Sequence, residues 1–355
     1  MSKPKAALKK IILLSLYFLT IGLKKSNGLM VLTYHRVPRQ PDLNDALKVS
    51  EHVFDRQMCF LKENYRLLSP NEVAQIINTG MEFPPRSCLI TFDDGWKDNY
   101  TYAYPVLKRH HIPALIFLTT DFIGTSRAFW HEQLGDLLSK VRGGIDLGLL
   151  DRLVMEYPSN VNEMIKRISH IQDDRRQDLI HDLVVYLKNF DVQQNEGLVL
   201  KLNTVLGIRP NPVDPMMLSW SDVREMVENN IGMGSHTKGH EILTRLPIER
   251  VEEEIFESKK CIQDKTGYPV EFLSYPNGNY DEQIIEIAKK AGYVGAFTCV
   301  QGKNVDSTRP YEIRRSHIRE NSSLGLSGRF SNLFFAIELS GTRSYLSRFR
   351  PNYDY

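Results

Sequence analysis

Four stretches of the sequence end an apolar run in side chains that can hold a cation or move a proton. "LTYHRV" carries His35, "CLITFDDGWKD" carries Asp93 and Asp94, "IGMGSHTKGH" carries His236 and His240, and "VEFLSYPNGNYD" carries a Pro276-Asn277-Gly278 turn. Two adjacent carboxylates at the end of a buried strand repel each other and resist desolvation. A solvated strand-to-helix turn accounts for one of them as an N-cap, with Gly95 easing the bend, and leaves its companion unexplained. A cation accounts for both: one carboxylate ligates it while the other acts on a water. His236 and His240 stand four residues apart, so on a helical turn their imidazoles face the same way. Two imidazoles and a carboxylate leave coordination positions open, as catalytic divalent metals require. An HxxxH spacing also arises by chance, each histidine capping a loop. The strand leading into it, Ser235 before it and Gly234 and Gly239 around it favour the cation.

Those side chains need elements that bring them to one place. Short apolar runs rich in β-branched residues predict strands near Leu29–Tyr34, Tyr65–Leu68, Cys88–Phe92, Ala114–Thr119, Ile231–Ser235, Val270–Tyr275, Val294–Cys299 and Glu312–Ile318. Helical patterns lie between several of them. "SEHVFDRQMCFLKEN" starts at Ser50 as a predicted N-cap and lines up Val53, Phe54, Met58 and Leu61. Later helices end at Gly267 and Gly292, a C-cap signature. Alternating strands and helices predict an α/β fold with a parallel sheet, closed or doubly wound. In a (β/α) barrel the strand C-terminal ends share one face, where active sites sit. From Phe129 to about Pro215 the rhythm breaks into successive amphipathic helices, closed by the proline-rich "RPNPVDP". The predicted organisation is a leading segment 1–28, a barrel 29–320 with a helical insertion at about 131–215, and an extension 321–355.

The chain has 355 residues, 42% of them hydrophobic and 25% charged, an ordinary globular balance. A net charge of +2 gives no electrostatic case for nucleic acid. Cys59, Cys88, Cys261 and Cys299 lack zinc-ribbon or CxxC spacing and point away from a disulfide framework; Cys88 and Cys299 read as small core residues. Near the N-terminus, Ile11–Leu23 is apolar and flanked by lysine pairs. It is shorter than the ~20 residues that span a bilayer. It reads as an interfacial helix, with an uncleaved export signal and a packed helix as alternatives. The expectation is peripheral membrane association, with the side of the membrane open. "SNLFFAIEL" reads as a packing helix.

"TFDDG" together with "SHTKGH" resembles the polysaccharide deacetylase family, carbohydrate esterase family 4. The resemblance runs from about Leu29 to Ile318, interrupted by the helical insertion. It implies a distorted (β/α) barrel of seven to eight strands. It also implies a divalent metal, most often Zn²⁺, and hydrolysis of acetyl groups on N-acetylglucosamine-type glycans. Carried over residue by residue, Asp93 is the catalytic base and Asp94, His236 and His240 are the metal ligands. "SYPNG" matches the groove-wall motif, which implies substrate contacts from Tyr275, Pro276, Asn277 and Gly278, with a backbone amide near Asn277 on the oxyanion. Many members have an Arg in that motif; Ser274 stands there instead. "LTYHRV" is similar to an exopolysaccharide-type subgroup in which the early His is the general acid, here His35, and a late Arg supports the base, here Arg315. His317 is the rival acid. Tyr275, Trp96 and Trp130 are candidates to stack on sugar rings, with core packing favoured for Trp130. Two other readings stay open: a non-haem metal oxygenase, which shares the two-His-one-carboxylate set, and a catalytically silent saccharide-binding relative.

Overall fold

The computed structural model describes residues 28–40, 47–141, 148, 157–171, 175–207, 216–305, 308–325 and 327–341. The apolar segment 11–23, most of "LGLLDRLVMEY" and "RPNPVDP" lie outside the described residues. In chain order the first elements are β1 (Leu29–Tyr34), α1 (Glu51–Asn64), β2 (Arg66–Leu67), α2 (Pro70–Thr79), β3 (Ser87–Phe92), α3 (Tyr104–His110) and β4 (Ala114–Leu118). There follow α4 (Trp130–Lys140), α5 (Ser159–His170), α6 (Arg175–Leu187) and α7 (Val192–Leu206). The last set is α8 (Trp220–Glu228), β5 (Ile231–Ser235), α9 (Ile248–Thr266), β6 (Phe272–Ser274), α10 (Glu282–Lys290), β7 (Gly295–Phe297), β8 (Ser316–His317) and α11 (Asn332–Leu339). Among the described residues, no helix is long and apolar enough to cross a membrane.

The chain divides into two compact units. Among the described residues, 28–125 and 217–341 make one, and those between Ser126 and Met216 make the other. The second unit is helical, with Leu134, Leu138, Val161, Ile165, Leu183, Leu198 and Leu202 in its own apolar core. Trp130 joins that core.

The first unit is a distorted (β/α) barrel whose strands are all parallel, in the order β7-β6-β5-β4-β3-β1-β8, with β2 also on β3. β1 and β3 are buried along their whole length, as parallel strands covered on both faces are. The ring is joined by the segment leading into β8. Ile313 bridges Phe297 of β7, and Ser316 and His317 pair with Leu32 and Thr33 of β1. Several strands are shorter than their apolar runs: β2 keeps two residues, β6 and β7 three, and β8 two. Their flanks turn early to make loop and side-chain hydrogen bonds, such as Tyr275 N–H on Phe297 O and Thr298 N–H on Ile313 O.

Side chains on a strand alternate between faces. Leu29 and Val31, Leu89, Leu115 and Phe117, Phe272, Phe297 and Ile313 form one apolar cluster. On β5 the same row holds Gly232 and Gly234. A Cβ on Gly234 would lie 2.5 Å from the Phe117 ring, so only glycine leaves that ring its place. Continued two residues at a time, these rows reach His35, Asp93, His236, Ser274, Arg315 and His317. The fold delivers six polar side chains to the top of one apolar plug. Ser50 precedes α1 as expected, yet its side chain makes no cap; its N–H donates to Glu320 instead. Cys88 is buried and Cys299 only half-buried, so the second is not a core residue; among the described residues none of the four cysteines is in a disulfide.

Candidate metal centre

Asp93 continues the β3 row by one step, its N–H donating to Tyr34 O at 3.1 Å. Asp94 would by alternation face away. It does not, because its own backbone turns over at φ +77°, with Gly95 following at +84°. A Cβ at Gly95 would also meet Ile123 at 2.7 Å. The turn brings Asp94 Oδ1 to 3.5 Å from His236 Nε2 and 3.4 Å from His240 Nε2. Asp94 Oδ2 is occupied by the Trp96 indole N–H at 2.8 Å. His236 Nδ1 lies 2.8 Å from Ser274 O, which can only accept, so Nδ1 carries the proton and Nε2 presents its lone pair.

His236 and His240 do not lie on a helical turn, contrary to the expectation from their spacing; residues 236–240 form a loop. Thr237 (φ +64°) and His240 (φ +60°) both take left-handed backbone, and that brings the rings together, 4.7 Å apart and nearly perpendicular. A β-branched residue at positive φ is strained. The strain is held by Glu254 of α9, buried to 1%, whose Oε2 accepts the N–H groups of Lys238 and Gly239, each at 2.8 Å. Seven non-glycine residues in the described chain have positive φ. Four of them, Asp94, Thr237, His240 and Asn277, lie in the three motifs at this mouth, where strain positions ligands and turns.

Arg315 is wholly buried and spends three donors: Nε on Thr298 O (2.9 Å), Nη1 on Asp93 Oδ1 (2.7 Å) and Nη2 on Ser274 Oγ (3.0 Å). Burial pushes the Asp93 carboxyl up, but the Arg315 guanidinium, with His236 and His35, holds it well below the usual range. For Asp94, burial is likewise outweighed by His240, His35 and His236. Arg315 takes Oδ1 of Asp93, so Oδ2 faces His35 Nε2 and His236 Nε2, each at 4.0 Å. His35 stacks on His317 at 5.8 Å. Burial, then the Arg315 and His35 charges, push His317 down to about 3.

The structure brings together His35, Asp93, Asp94, His236, His240 and Arg315, and sets the groove-wall motif differently from expectation. Tyr275 is fully buried, stacked on Tyr280 with its hydroxyl on Tyr311 O, and Pro276 is buried too. Alternation puts Tyr275 on the outer face, so it cannot stack on a sugar. Asn277 (φ +56°) and Gly278 (φ +75°) form the turn itself, with Gly278 packed close on Cys299. Trp96 is 1% exposed, so it too is no sugar platform; it holds Asp94. The sequence offers Trp96 only as a sugar platform, not as the donor that holds Asp94, and gives no sign of Ser274 O or Glu254 as supports of the ligands. Trp96 two residues after Asp94 was a readable signal; nothing in "ERVEEEIFES" distinguishes Glu254 from its neighbours.

One carboxylate oxygen and two imidazole nitrogens, all within 4.8 Å of one another, suit a borderline divalent cation. The donor set on these residues therefore fits the metal expected from sequence.

The sequence profile described as polysaccharide deacetylase matches residues 80–172 and 184–296. Among curated relatives, Bacillus subtilis YxkH is 23% identical over 309 residues, covering 87% of this chain and 76% of that protein. The poly-beta-1,6-N-acetyl-D-glucosamine N-deacetylase of Staphylococcus epidermidis is 35% identical over 129 residues, 33% of this chain and 43% of that enzyme. The match thus spans less than half of the staphylococcal relative. Among solved structures, IcaB from Ammonifex degensii superposes with a TM-score of 0.56 at 19% identity, covering 90% of this chain and 98% of that one. Streptococcus pyogenes deacetylase PplD, in complex with acetate, gives 0.53 at 18% identity, covering 84% and 95%. At such identities these two likenesses speak for the fold. The profile covers more than half of the sequence, and on that ground the chain belongs to the polysaccharide deacetylase family.

Proposed function

We propose that this enzyme is a metal-dependent hydrolase that removes N-acetyl groups from an N-acetylglucosamine-type polysaccharide or lipid-linked saccharide. The observation that carries the reading is the division of the Asp pair: Asp94 Oδ1 faces two imidazoles, while Asp93 is clamped through Oδ1 and keeps Oδ2 toward the same space. Asp94, His236 and His240 would hold the cation, and their one-carboxylate, two-imidazole donor set suits Zn²⁺. Bound there, it supplies Lewis-acid polarisation and lowers the pKa of a water from ~15.7 towards ~7.

Asp93 Oδ2 accepts the proton of the attacking water, and Arg315 keeps that carboxylate oriented and ionised. A backbone amide near Asn277 stabilises the oxyanion of the tetrahedral intermediate. His35 delivers a proton to the departing amine. His317 is the poorer candidate for that step, since a ring held near 3 stays neutral at physiological pH. The parallel strand ring and the family set aside the oxygenase alternative. The name of the staphylococcal relative supports a β-1,6-linked acetylglucosamine polymer as the first substrate to try. Association with a membrane surface through residues 11–23 belongs to the same proposal, and full release by a carbonate wash would overturn it.

Acetate release from acetylated glucosamine polymers, with and without chelator, tests the function. We expect chelator-sensitive release by the wild type. For Asp93→Asn we expect a loss of at least about 10²-fold with zinc content unchanged. Wild-type turnover by Asp93→Asn would overturn the assignment, and ligand binding without acetate release would revive a silent binding role.

A further inference from the structure

A second set of ligating side chains lies away from the strand ends. On α1, Asp55 and Cys59 are one helical turn apart and share a face. α3 ends at His110, whose Nε2 lies 2.8 Å from Asp55 Oδ1 and 3.7 Å from Cys59 Sγ. A carboxylate oxygen, an imidazole nitrogen and a thiol sulfur thus converge within 4.8 Å, all half-buried. Lys62 Nζ donates to His110 O at 2.8 Å and ties the end of α3 to α1. Arg109 Nη2 also donates to Asp55 Oδ1, at 2.7 Å.

We propose that Asp55, Cys59 and His110 form a second, thiolate-containing site for a borderline divalent transition cation such as Zn²⁺ or Co²⁺. An Asp-His-Arg ion pair needs no sulfur; it is the soft donor at the same point that selects such a cation over Mg²⁺ or Ca²⁺. Tetrahedral bonds of ordinary length separate N, O and S donors by about 3.3–3.7 Å. The Cys59–His110 spacing already meets this, and the Asp55–His110 contact must widen by about half an ångström. Binding breaks the Cys59 S–H bond and releases its proton to solvent, and His110 ligates through Nε2 as the tautomer with its proton on Nδ1. One thiolate and one carboxylate then balance the dication, so the positive charges of Arg109 and Lys62 do not bar it. Burial pushes the Asp55 carboxyl up, but hydrogen bonds from His110 and Arg109 bring it below its usual value, so this ligand is already ionised. Arg109 competes for Asp55, and its side chain is more than half exposed, so it can swing clear. Three protein ligands leave one position open to water or an exogenous ligand.

The test is a cobalt(II) titration of the full chain carrying Asp94→Ala and His240→Ala, which disable the strand-end donors. A thiolate-to-cobalt charge-transfer band in the near ultraviolet should grow to one equivalent. Cys59→Ser should abolish it, Asp55→Asn should weaken binding at least about tenfold, and Arg109→Gln should strengthen it several-fold. In the chain without substitutions, zinc should slow labelling of Cys59 by N-ethylmaleimide about tenfold or more, read by peptide mass. This second readout covers the case in which a variant fails to fold. No band with excess cobalt, a band that survives Cys59→Ser, or zinc-independent labelling would each overturn the site.

Discussion

The two ligating clusters have the same number of donors and opposite preparation. At the strand ends each donor is fixed by a partner outside the cluster: Trp96 on Asp94, Ser274 O on His236, and Glu254 on the loop that carries His240. On the helix pair the donors hold one another, with Asp55 bonded to His110 and to Arg109. The first cluster keeps its lone pairs facing an open point and stores backbone strain to do so. The second must break a hydrogen bond before it can bind. A site built for turnover needs the first arrangement, because geometry already in place is not reorganised at each cycle. An exchangeable site can tolerate the second.

The sharpest way to break this comparison is to remove the shared acceptor. Asp94→Ala should lose cation and acetate release together, measured by metal analysis and turnover on the same sample. If activity survives, the strand-end cluster is not the centre. Next in size, Arg315→Met leaves Asp93 buried without its counter-charge. We expect a loss of about 3–5 kcal/mol in denaturant melts, with turnover falling well beyond the unfolded fraction. Trp96→Phe then isolates preparation from ligation. It deletes the indole N–H together with the five-membered ring of a buried side chain, and should weaken zinc binding about 10–100-fold in competition with a chromophoric chelator, with a loss of about 1 kcal/mol or more in stability from the space left behind.

A smaller effect concerns acid. Folding lowers His317 to about 3 by burial, against ~6.5 for an unfolded histidine. Between those values the unfolded chain binds a proton that the folded one refuses. This contribution is therefore fully present above ~6.5 and is lost as pH falls towards 3. His317→Asn should flatten the fall in urea midpoint between about pH 7 and about pH 4.5. The smallest expected effect is that of Cys59→Ser on acetate release. Turnover should be unchanged, and a large loss would mean the two clusters are not separate in function.

Much of the site was legible because it follows strand alternation. Apolar rows ending in His35, Asp93, His236 and Arg315 can be traced by counting in twos from Leu29, Leu89, Gly232 and Ile313. What escaped is what breaks that count. Asp94 joins the site through a left-handed turn, and His236 and His240 meet through two more, so HxxxH spacing pointed to a helix that is not there. Tyr275 obeys alternation and for that reason leaves the groove; a motif match carried its side chain to the wrong face. Glu254 acts by accepting backbone N–H groups, and such acceptors leave no pattern in side-chain spacing.

The join between β7 and β1 has a further consequence. Short pairings at Ile313, Ser316 and His317, with a bridge from Asn304 to Leu29 beside them, hold the ring there, and Arg315 sits among them. Backbone hydrogen bonds on so brief a stretch open at less free energy than those of β1 on β3. Each such opening withdraws the guanidinium from Asp93 while the helices stay folded. We therefore expect heat to silence the enzyme before it melts. Amide exchange at Arg315–Ile318, not circular dichroism, should track the temperature at which catalysis stops.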